Sequence, residues 1–239
     1  GWNNIGVRGI APNASIFGDN YLDGNGSKFN ESRGVNPPGG VTADIYNMSY
    51  GMRYPKDDDE EEESTYKLQK SLLYNDISII EEGFINGVTN LRDGKGAIYV
   101  KSSGNGYDTQ PDSTCGIGKT LSCTETSIDR VNQSPHIINV AAMNADGVKS
   151  SYSTPGSSIW VSGFGGEYGY GSNFSIDGAV YKPAVMTVDR STCTLGYSRS
   201  GGTSLYGRNR FNLAGQNYSD QLNLNPDCKY NSHFNGTSA

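Results

Sequence analysis

The sequence predicts an α/β fold, a three-layer α/β/α sandwich with a mostly parallel central sheet. Two observations support this prediction: short β-prone runs recur along the chain, and a long amphipathic segment separates two of them. Elements that alternate in this way pack as a parallel sheet with helices on its faces. The predicted strands cover residues 43–49, 97–100, 136–142, 159–162 and 183–188, and a further strand is expected to begin at 15–17.

The long amphipathic segment, residues 71–91, is the predicted helix. Its apolar side chains recur close to every 3.6 residues over the second half, and Gly94 and Gly96 follow as helix stops. The next strand, residues 97–100, would place Asn105 just past the carboxyl end of a parallel strand. Ligands of open α/β sheets bind at that edge, so the position of Asn105 suits a functional site.

The composition favours one domain with one substantial core in a chain of 239 residues. The hydrophobic content is only 34%, and 32 residues are glycine, which indicates long irregular connections around a compact centre. No stretch of the sequence approaches the roughly 18 apolar residues that a bilayer-spanning helix needs. We therefore expect no membrane span.

The acidity of the chain is local. The net charge is −6, and residues 57–63 form an unbroken run of seven carboxylates, so the remaining chain is close to neutral. Such a run cannot lie in a core and is expected to be a solvated loop. A calcium site and an acidic rim that attracts basic substrates are the alternatives. Because no basic patch is present, no nucleic-acid partner is expected.

The four cysteines, Cys115, Cys123, Cys193 and Cys228, lack the close Cys/His spacing of a zinc site. Disulfides are therefore expected, as is typical of exported proteins, and the protein is predicted to be extracytoplasmic, either secreted or periplasmic. Three pairings are open. We favour Cys115 with Cys123 and Cys193 with Cys228, because each of these pairs closes one loop without crossing the core.

Two short segments carry the candidate chemistry, residues 102–106 (SSGNG) and residues 236–239 (GTSA). Ser238 offers a hydroxyl nucleophile, and Asn105 offers a side-chain amide that could stabilise the oxyanion formed on attack. Either segment alone also suits an ordinary turn. Their order along the chain and the blocks that accompany them favour the catalytic interpretation.

Together with the blocks at 6–14 (GVRGIAPNA), 47–51 (NMSYG) and 136–143 (HIINVAAM), these segments resemble the subtilisin family of serine proteases, the subtilases. The likeness is closest to the kexin-like branch and its bacterial secreted relatives. It implies a subtilisin-like sandwich, peptide-bond hydrolysis through an acyl-enzyme on Ser238, and an oxyanion hole formed by the Ser238 N–H and the Asn105 amide. It also implies protein or peptide substrates, no cofactor for the chemistry, a structural calcium ion, and a propeptide or inhibitor as partner.

The resemblance further assigns substrate binding to the edge formed by Ser49, Tyr50 and Gly51, and to Ser103 and Gly104. An edge of this kind binds an extended peptide through main-chain hydrogen bonds and leaves side-chain pockets to set specificity. A plain core strand that runs into a turn is the alternative for the segment from Ser49 to Gly51.

Asp129 stands nine residues before Ile138, where the kexin-like enzymes have an acidic residue that lines the pocket for a basic side chain. A buried carboxylate can select such a side chain through a charge-assisted hydrogen bond, which predicts a preference for basic residues at the cleavage site. Two observations stand against this interpretation. Residues 52–54 (MRY) replace the acidic residues of the kexin pattern, and Arg130 could pair with Asp129 on the surface.

In the family, the blocks that carry the catalytic aspartate and histidine precede the block at 6–14. Residues 1–239 are therefore predicted to be a single, incomplete catalytic domain that begins after the histidine block and ends just after the nucleophilic serine. His136 and His233 match neither block and are expected to be structural. The fragment alone should be inactive or nearly so. The alternatives are a non-catalytic subtilase-like module that binds peptides or proteins, and an Asn/Gly-rich adhesive protein without protease ancestry.

Overall fold

The computed structural model describes residues 9–18, 42–51, 81–107, 121–168, 183–190, 193–198 and 227–239. Its main element is a four-stranded sheet in the order β1-β2-β3-β4, in which every neighbouring pair is parallel. The predicted parallel sheet is thereby confirmed, and each of its strands overlaps a predicted one. The strands are β1, Ile45–Met48; β2, Ile98–Ser102; β3, Ile137–Met143; and β4, Ile159–Phe164.

A helix, α1, covers residues 81–90 and lies between β1 and β2 in the chain, which confirms the second half of the predicted helix. The first half, residues 71–80, lies outside the described residues. The helix ends where the sequence predicts. Gly94 and Gly96 both have φ of +80°, a conformation that favours glycine, and the Gly96 N–H donates to the Leu91 carbonyl at 2.9 Å.

The core joins α1 to one face of the sheet around Tyr99. The Phe84 ring of α1 meets the Tyr99 ring edge to face at 4.9 Å, and the Tyr46 ring stacks on it at 5.1 Å. Gly87 is required at this contact, because a Cβ there would lie 1.7 Å from the Tyr99 hydroxyl. Burying a side chain such as Phe84 stabilises the fold by about 2–3 kcal/mol. The other buried members of the cluster are Met48, Ala97, Val131 and Ile137.

The opposite face of this sheet carries exposed apolar side chains. Ile45 and Ile98 point away from the Tyr99 core and are exposed, as is Val161 of β4, which pairs with Val140 on the same face. Within the described ranges, one helix, α1, represents the helical layers of the predicted sandwich. No helix in the described ranges has the length and apolar character needed to cross a bilayer.

A second, smaller ladder pairs β5, Val185–Val188, with β6, Tyr230–Phe234, and is antiparallel. The chain between the two strands is closed by the Cys193–Cys228 disulfide, with Cα atoms 5.0 Å apart, so this predicted pairing is confirmed. Cys123 is also disulfide-bonded, whereas Cys115 lies outside the described residues. The ladder places the segment that leads into Ser238.

The strand expected at residues 15–17 is wrong. These residues are described and belong to no strand, and Ile16 is exposed. An isolated β-prone run is not stable without a hydrogen-bonded neighbour, and the described part of the chain supplies none there. The acidic run at 57–63 and the possible calcium site on it lie outside the described residues.

Candidate active site

The structure brings the loops of Asn105 and Ser238 together at the carboxyl end of β2. Thr237 forms the link, because its backbone N–H and its hydroxyl both donate to Asn105 Oδ1 at 2.9 Å. The Thr237 hydroxyl also accepts the Gly104 N–H at 3.1 Å. The two candidate catalytic residues, which are far apart in the sequence, therefore occupy neighbouring positions at one edge of the sheet.

The two ends of the Asn105 side-chain amide have different roles. Its Oδ1 accepts two hydrogen bonds from Thr237, and its Nδ2 is available as a donor on this solvent-exposed residue. The ideal Cβ position of Gly236 lies 3.4 Å from Asn105 Nδ2 and 3.6 Å from the Ser238 backbone nitrogen. Because Gly236 has no side chain, no atom of this residue separates the two nitrogens at that point. Its φ of +124° also favours glycine.

The loop that carries Asn105 is held on its inner side by the segment before β4. Gly106 N–H donates to Thr154 Oγ1 at 2.8 Å, and Thr154 N–H donates to the Gly104 carbonyl at 3.0 Å. Thr154 is fully buried. The Asn105 loop is thus fixed by hydrogen bonds on two sides, which limits the movement of its side-chain amide.

Tyr152 positions the loop of Ser238 from beneath. Its buried hydroxyl accepts the Gly236 N–H at 2.8 Å and lies 2.8 and 2.9 Å from the Gly165 and Gly166 carbonyls, to which it donates. Burial raises the pKa of this phenol, and the hydrogen bond from Gly236 opposes the shift. The neutral hydroxyl therefore acts as both donor and acceptor, and it ties Gly236 to the end of β4.

The Tyr152→Phe substitution should lower the free energy of unfolding by about 1–2 kcal/mol, because the bonds of the buried Tyr152 hydroxyl to the Gly236 N–H and to the Gly165 and Gly166 carbonyls are removed. It should also lower any turnover that depends on Ser238, since the Gly236 N–H then keeps only its longer bond to the Gly165 carbonyl, at 3.3 Å. Urea unfolding and peptidase assays check the two effects. Tyr46→Phe is the matched control, because the Tyr46 hydroxyl accepts the Ala43 N–H at 3.1 Å, a hydrogen bond at the start of β1 that does not involve the Ser238 loop. Equal turnover losses in both variants would contradict a positioning role for Tyr152.

The predicted substrate edge lies directly against Ser238. The Ser238 hydroxyl donates to the Ser49 carbonyl at 3.4 Å, and the Ser49 hydroxyl donates to the Ser238 carbonyl at 3.3 Å. Ser103 is buried behind this edge and its N–H donates to the Val140 carbonyl, whereas Gly104 leads into the Asn105 loop. The five predicted substrate-binding residues thus lie at the carboxyl ends of β1 and β2, and Ser49 contacts the candidate nucleophile.

Asp129 is buried, with 4% of its surface exposed, and pairs with Lys101. Lys101 Nζ lies 2.8 Å from Asp129 Oδ2 and also donates to the Tyr50 carbonyl at 2.9 Å. The alternative of a surface pair between Asp129 and Arg130 is therefore wrong, because the carboxylate lies inside the protein. The sequence offered one signal for Lys101 that our prediction did not use: a lysine within the β-prone run IYVKS, on the same side of the strand as Tyr99.

Both histidines have structural surroundings. His136 Nε2 lies 3.5 Å from Glu81 Oε1 of α1. His233 is half-buried on β6, and desolvation lowers its pKa, although a hydrogen bond with the Tyr168 backbone partly opposes the shift. Within the described ranges the Ser238 hydroxyl bonds to Ser49 and to neither histidine.

Glu167 is a buried anchor that the sequence did not reveal. Its carboxylate accepts the Ser151 N–H at 2.8 Å, the Ser151 hydroxyl at 2.6 Å and the Asn144 amide at 3.2 Å, and its carbonyl accepts the Asn235 amide at 3.0 Å. Burial lowers the pKa of nearby Lys149, and the charge of Glu167 partly offsets this. Glu167 thus fixes the approach to the Gly236 turn.

In the described ranges, no group of three or more metal-ligating side chains forms a metal site.

The structure thus places a serine and an asparagine together at the carboxyl edge of a parallel sheet, an arrangement that suits a hydrolase. Comparison with known proteins identifies the family of hydrolases. The model of the subtilase family, peptidase family S8, matches residues 1–206. The chain therefore belongs to the subtilase family of serine proteases, and it has the α/β fold of that family. This confirms the resemblance found in the sequence.

The relatives are bacterial and animal serine proteases. The extracellular serine protease of Aeromonas sobria is 31% identical over 246 residues, which cover 99% of this chain and 34% of the relative. Furin-1 of Xenopus laevis is 37% identical over 127 residues, which cover 52% of this chain and 14% of the relative. The crystal structure of the Aeromonas sobria protease with its chaperone matches with a TM-score of 0.65 and 28% identity, over 96% of this chain and 34% of that one. The chain thus spans about a third of the length of the Aeromonas proteins that it matches.

Proposed function

We propose that this chain is the part of a secreted serine endopeptidase that carries the nucleophile, Ser238, and the oxyanion asparagine, Asn105. The observation that carries the proposal is that Asn105 Nδ2 and the Ser238 backbone nitrogen lie 3.4 and 3.6 Å from one point, the ideal Cβ position of Gly236. Two such donors stabilise the negative charge that develops on a carbonyl oxygen during acyl transfer. The extracellular relative supports secretion, and so does the Cys193–Cys228 disulfide.

In the proposed reaction, the Ser238 oxygen attacks the substrate carbonyl carbon, and the hydroxyl proton passes to a general base. The peptide C–N bond then breaks as the leaving amine takes up that proton, and water hydrolyses the resulting ester. Ser238 has to exchange its bond with the Ser49 carbonyl for one with the base. We assign the base and its orienting carboxylate to parts of the parent protein beyond this chain, because the chain spans about a third of its Aeromonas relatives.

The substrate would extend along Ser49, Tyr50 and Gly51 on one side and Ser103 and Gly104 on the other, and would pair through main-chain hydrogen bonds. The neighbour solved with a chaperone supports a propeptide-like partner or inhibitor for the parent enzyme. A structural calcium ion remains a prediction, and the acidic run 57–63 is where we would look for it. The preference for basic residues depends on Asp129, which already has an internal partner.

A fluorophosphonate probe tests the proposed activity, because it labels only an activated serine. The probe should be applied to this chain and to a version extended at both ends to whatever the gene encodes. The extended protein should be labelled at Ser238, as located by mass spectrometry of the peptides, and this chain should not. A heat-denatured sample of the extended protein is the control for non-specific labelling.

The competing function is a non-catalytic module that binds peptides along the same edge. The hydrogen bond of Ser238 to the Ser49 carbonyl favours it, since a hydroxyl held this way is not activated. If the extended protein folds but remains unlabelled, the endopeptidase proposal fails. Binding of an extended peptide by that unlabelled protein would then support the module.

A further inference from the structure

The described residues contain a buried ion pair beside the candidate active site, between Lys101 near the end of β2 and Asp129, which joins two short 3-10 helices before β3. Lys101 is 2% exposed and Asp129 is 4% exposed. Charged side chains are rarely buried so fully unless they are paired, because desolvation strongly disfavours an isolated charge. The pair therefore behaves as a neutral unit inside the protein.

This unit lies directly beneath the substrate edge. Lys101 Nζ donates to the Tyr50 carbonyl at 2.9 Å. The ideal Cβ position of Gly51 lies 3.3 Å from Asp129 Oδ2 and 3.4 Å from Lys101 Nζ, so the pair lies directly behind the Gly51 backbone. Ser49, two residues earlier on the same edge, contacts Ser238. The ion pair and the candidate nucleophile thus share one short stretch of backbone.

Both carboxylate oxygens of Asp129 already have partners. Oδ2 accepts from Lys101 at 2.8 Å, and Oδ1 accepts from the Val131 N–H at 3.1 Å. A substrate arginine or lysine would have to displace Lys101 from Asp129. Lys101 has the advantage because it belongs to the same chain, whereas a substrate loses translational freedom when it binds. Displacement would also leave the Lys101 ammonium buried without its counter-charge.

We propose that Lys101 is a specificity-determining residue, which neutralises Asp129 and makes the substrate edge at Tyr50 and Gly51 select neutral side chains over basic ones. The inference rests on the proposed endopeptidase function. It assigns the substrate class, peptides cleaved after an uncharged residue, and it reverses the basic preference that Asp129 alone would confer. Removal of the lysine charge frees the carboxylate for an incoming cation.

The test uses the extended protein and three peptide 4-nitroanilides that differ only in the residue before the cut: leucine, arginine or glutamate. The wild-type protein should have a higher kcat/KM for leucine than for arginine. Lys101→Met should raise the arginine-to-leucine ratio about 10- to 100-fold, because a buried carboxylate then lacks a counter-ion. Lys101→Gln, which keeps a donor for Tyr50 and Asp129, is the second variant in case Lys101→Met does not fold.

Three further variants serve as controls. Lys101→Met combined with Asp129→Asn removes both charges and should abolish the gained arginine preference. Asp129→Asn alone leaves Lys101 without its counter-charge and should raise the glutamate-to-leucine ratio. Lys95→Met removes an exposed lysine in the turn after α1 and should keep the wild-type ratios. Circular dichroism establishes that each variant is folded.

Two results would overturn the inference while leaving the endopeptidase proposal intact. One is a wild-type protein that cleaves the arginine peptide better than the leucine peptide. The other is a folded Lys101→Met or Lys101→Gln variant that cleaves the leucine peptide with an unchanged arginine-to-leucine ratio. If the folded wild-type protein cleaves none of the three peptides and is not labelled by the probe, the proposed function itself fails, and the specificity inference fails with it.

Discussion

Replacing Ser238 by alanine should reduce peptide hydrolysis by the extended protein by about 10⁴-fold or more. The substitution removes the oxygen that forms the acyl-enzyme, and the oxyanion donors can then only bind the substrate carbonyl. The loss should appear in kcat with little change in KM, because the substrate edge from Ser49 to Gly51 is unchanged. Steady-state assays with a peptide 4-nitroanilide measure both constants.

Two further serine variants make the result specific. Ser157→Ala removes an exposed hydroxyl in the turn before β4 and should keep wild-type turnover. Ser238→Cys keeps a nucleophilic side chain at the same position and should retain reaction with a thiol-directed reagent while losing most peptidase activity. Hydrolysis by Ser238→Ala at more than a hundredth of the wild-type rate would mean that the nucleophile is another residue.

Much of this fold could be predicted from local sequence patterns. The strands of the sheet read as short β-prone runs even where they are exposed, and the period of residues 81–90 is helical, so these elements are visible without any tertiary information. The place of Asn105 follows from the same reasoning, because a loop after a parallel strand must emerge at the carboxyl edge of the sheet. The ordered motifs then identified the family that comparison confirmed.

The remaining features depend on contacts between distant segments. Strand β6, with the sequence YNSHF, has neither strict alternation nor a β-branched residue, and it becomes a strand because β5 supplies its partner. The pairing of Tyr152 with Gly236 joins residues 84 positions apart. Local patterns carry no information on which hydroxyl will meet which N–H.

The Lys101–Asp129 pair shows how such a contact changes a functional prediction. From sequence, Asp129 could be assigned to a pocket for basic residues or to a surface pair with Arg130. The structure buries it against a lysine 28 residues earlier in the chain. The family motif therefore indicated the position of the Asp129 carboxylate. Whether that carboxylate can attract a cation depends on Lys101, which is not part of the motif.

Asn105→Asp should lower kcat of the extended protein by about 10²–10³-fold, which is the loss typical of removing an oxyanion donor in the subtilase family. The aspartate is nearly the same size and can still accept from the Thr237 N–H and hydroxyl, as Asn105 Oδ1 does at 2.9 Å. It has no N–H to offer the oxyanion and adds a negative charge beside it. The KM should change little, since the lost interaction acts in the transition state.

Substitutions at Thr237 separate the donor function of Asn105 from its structural role. Thr237→Ser keeps the hydroxyl that joins Gly104 N–H to Asn105 Oδ1, so only a small loss of kcat is expected. Thr237→Val removes that hydroxyl but leaves the Asn105 amide in place, so the loss should be intermediate and accompanied by lower stability. If Thr237→Val reduces kcat as much as Asn105→Asp does, Asn105 acts mainly by fixing the Ser238 turn. A kcat for Asn105→Asp within threefold of wild type would exclude it as an oxyanion donor, because a donor aimed at developing charge cannot be lost without slowing the chemical step.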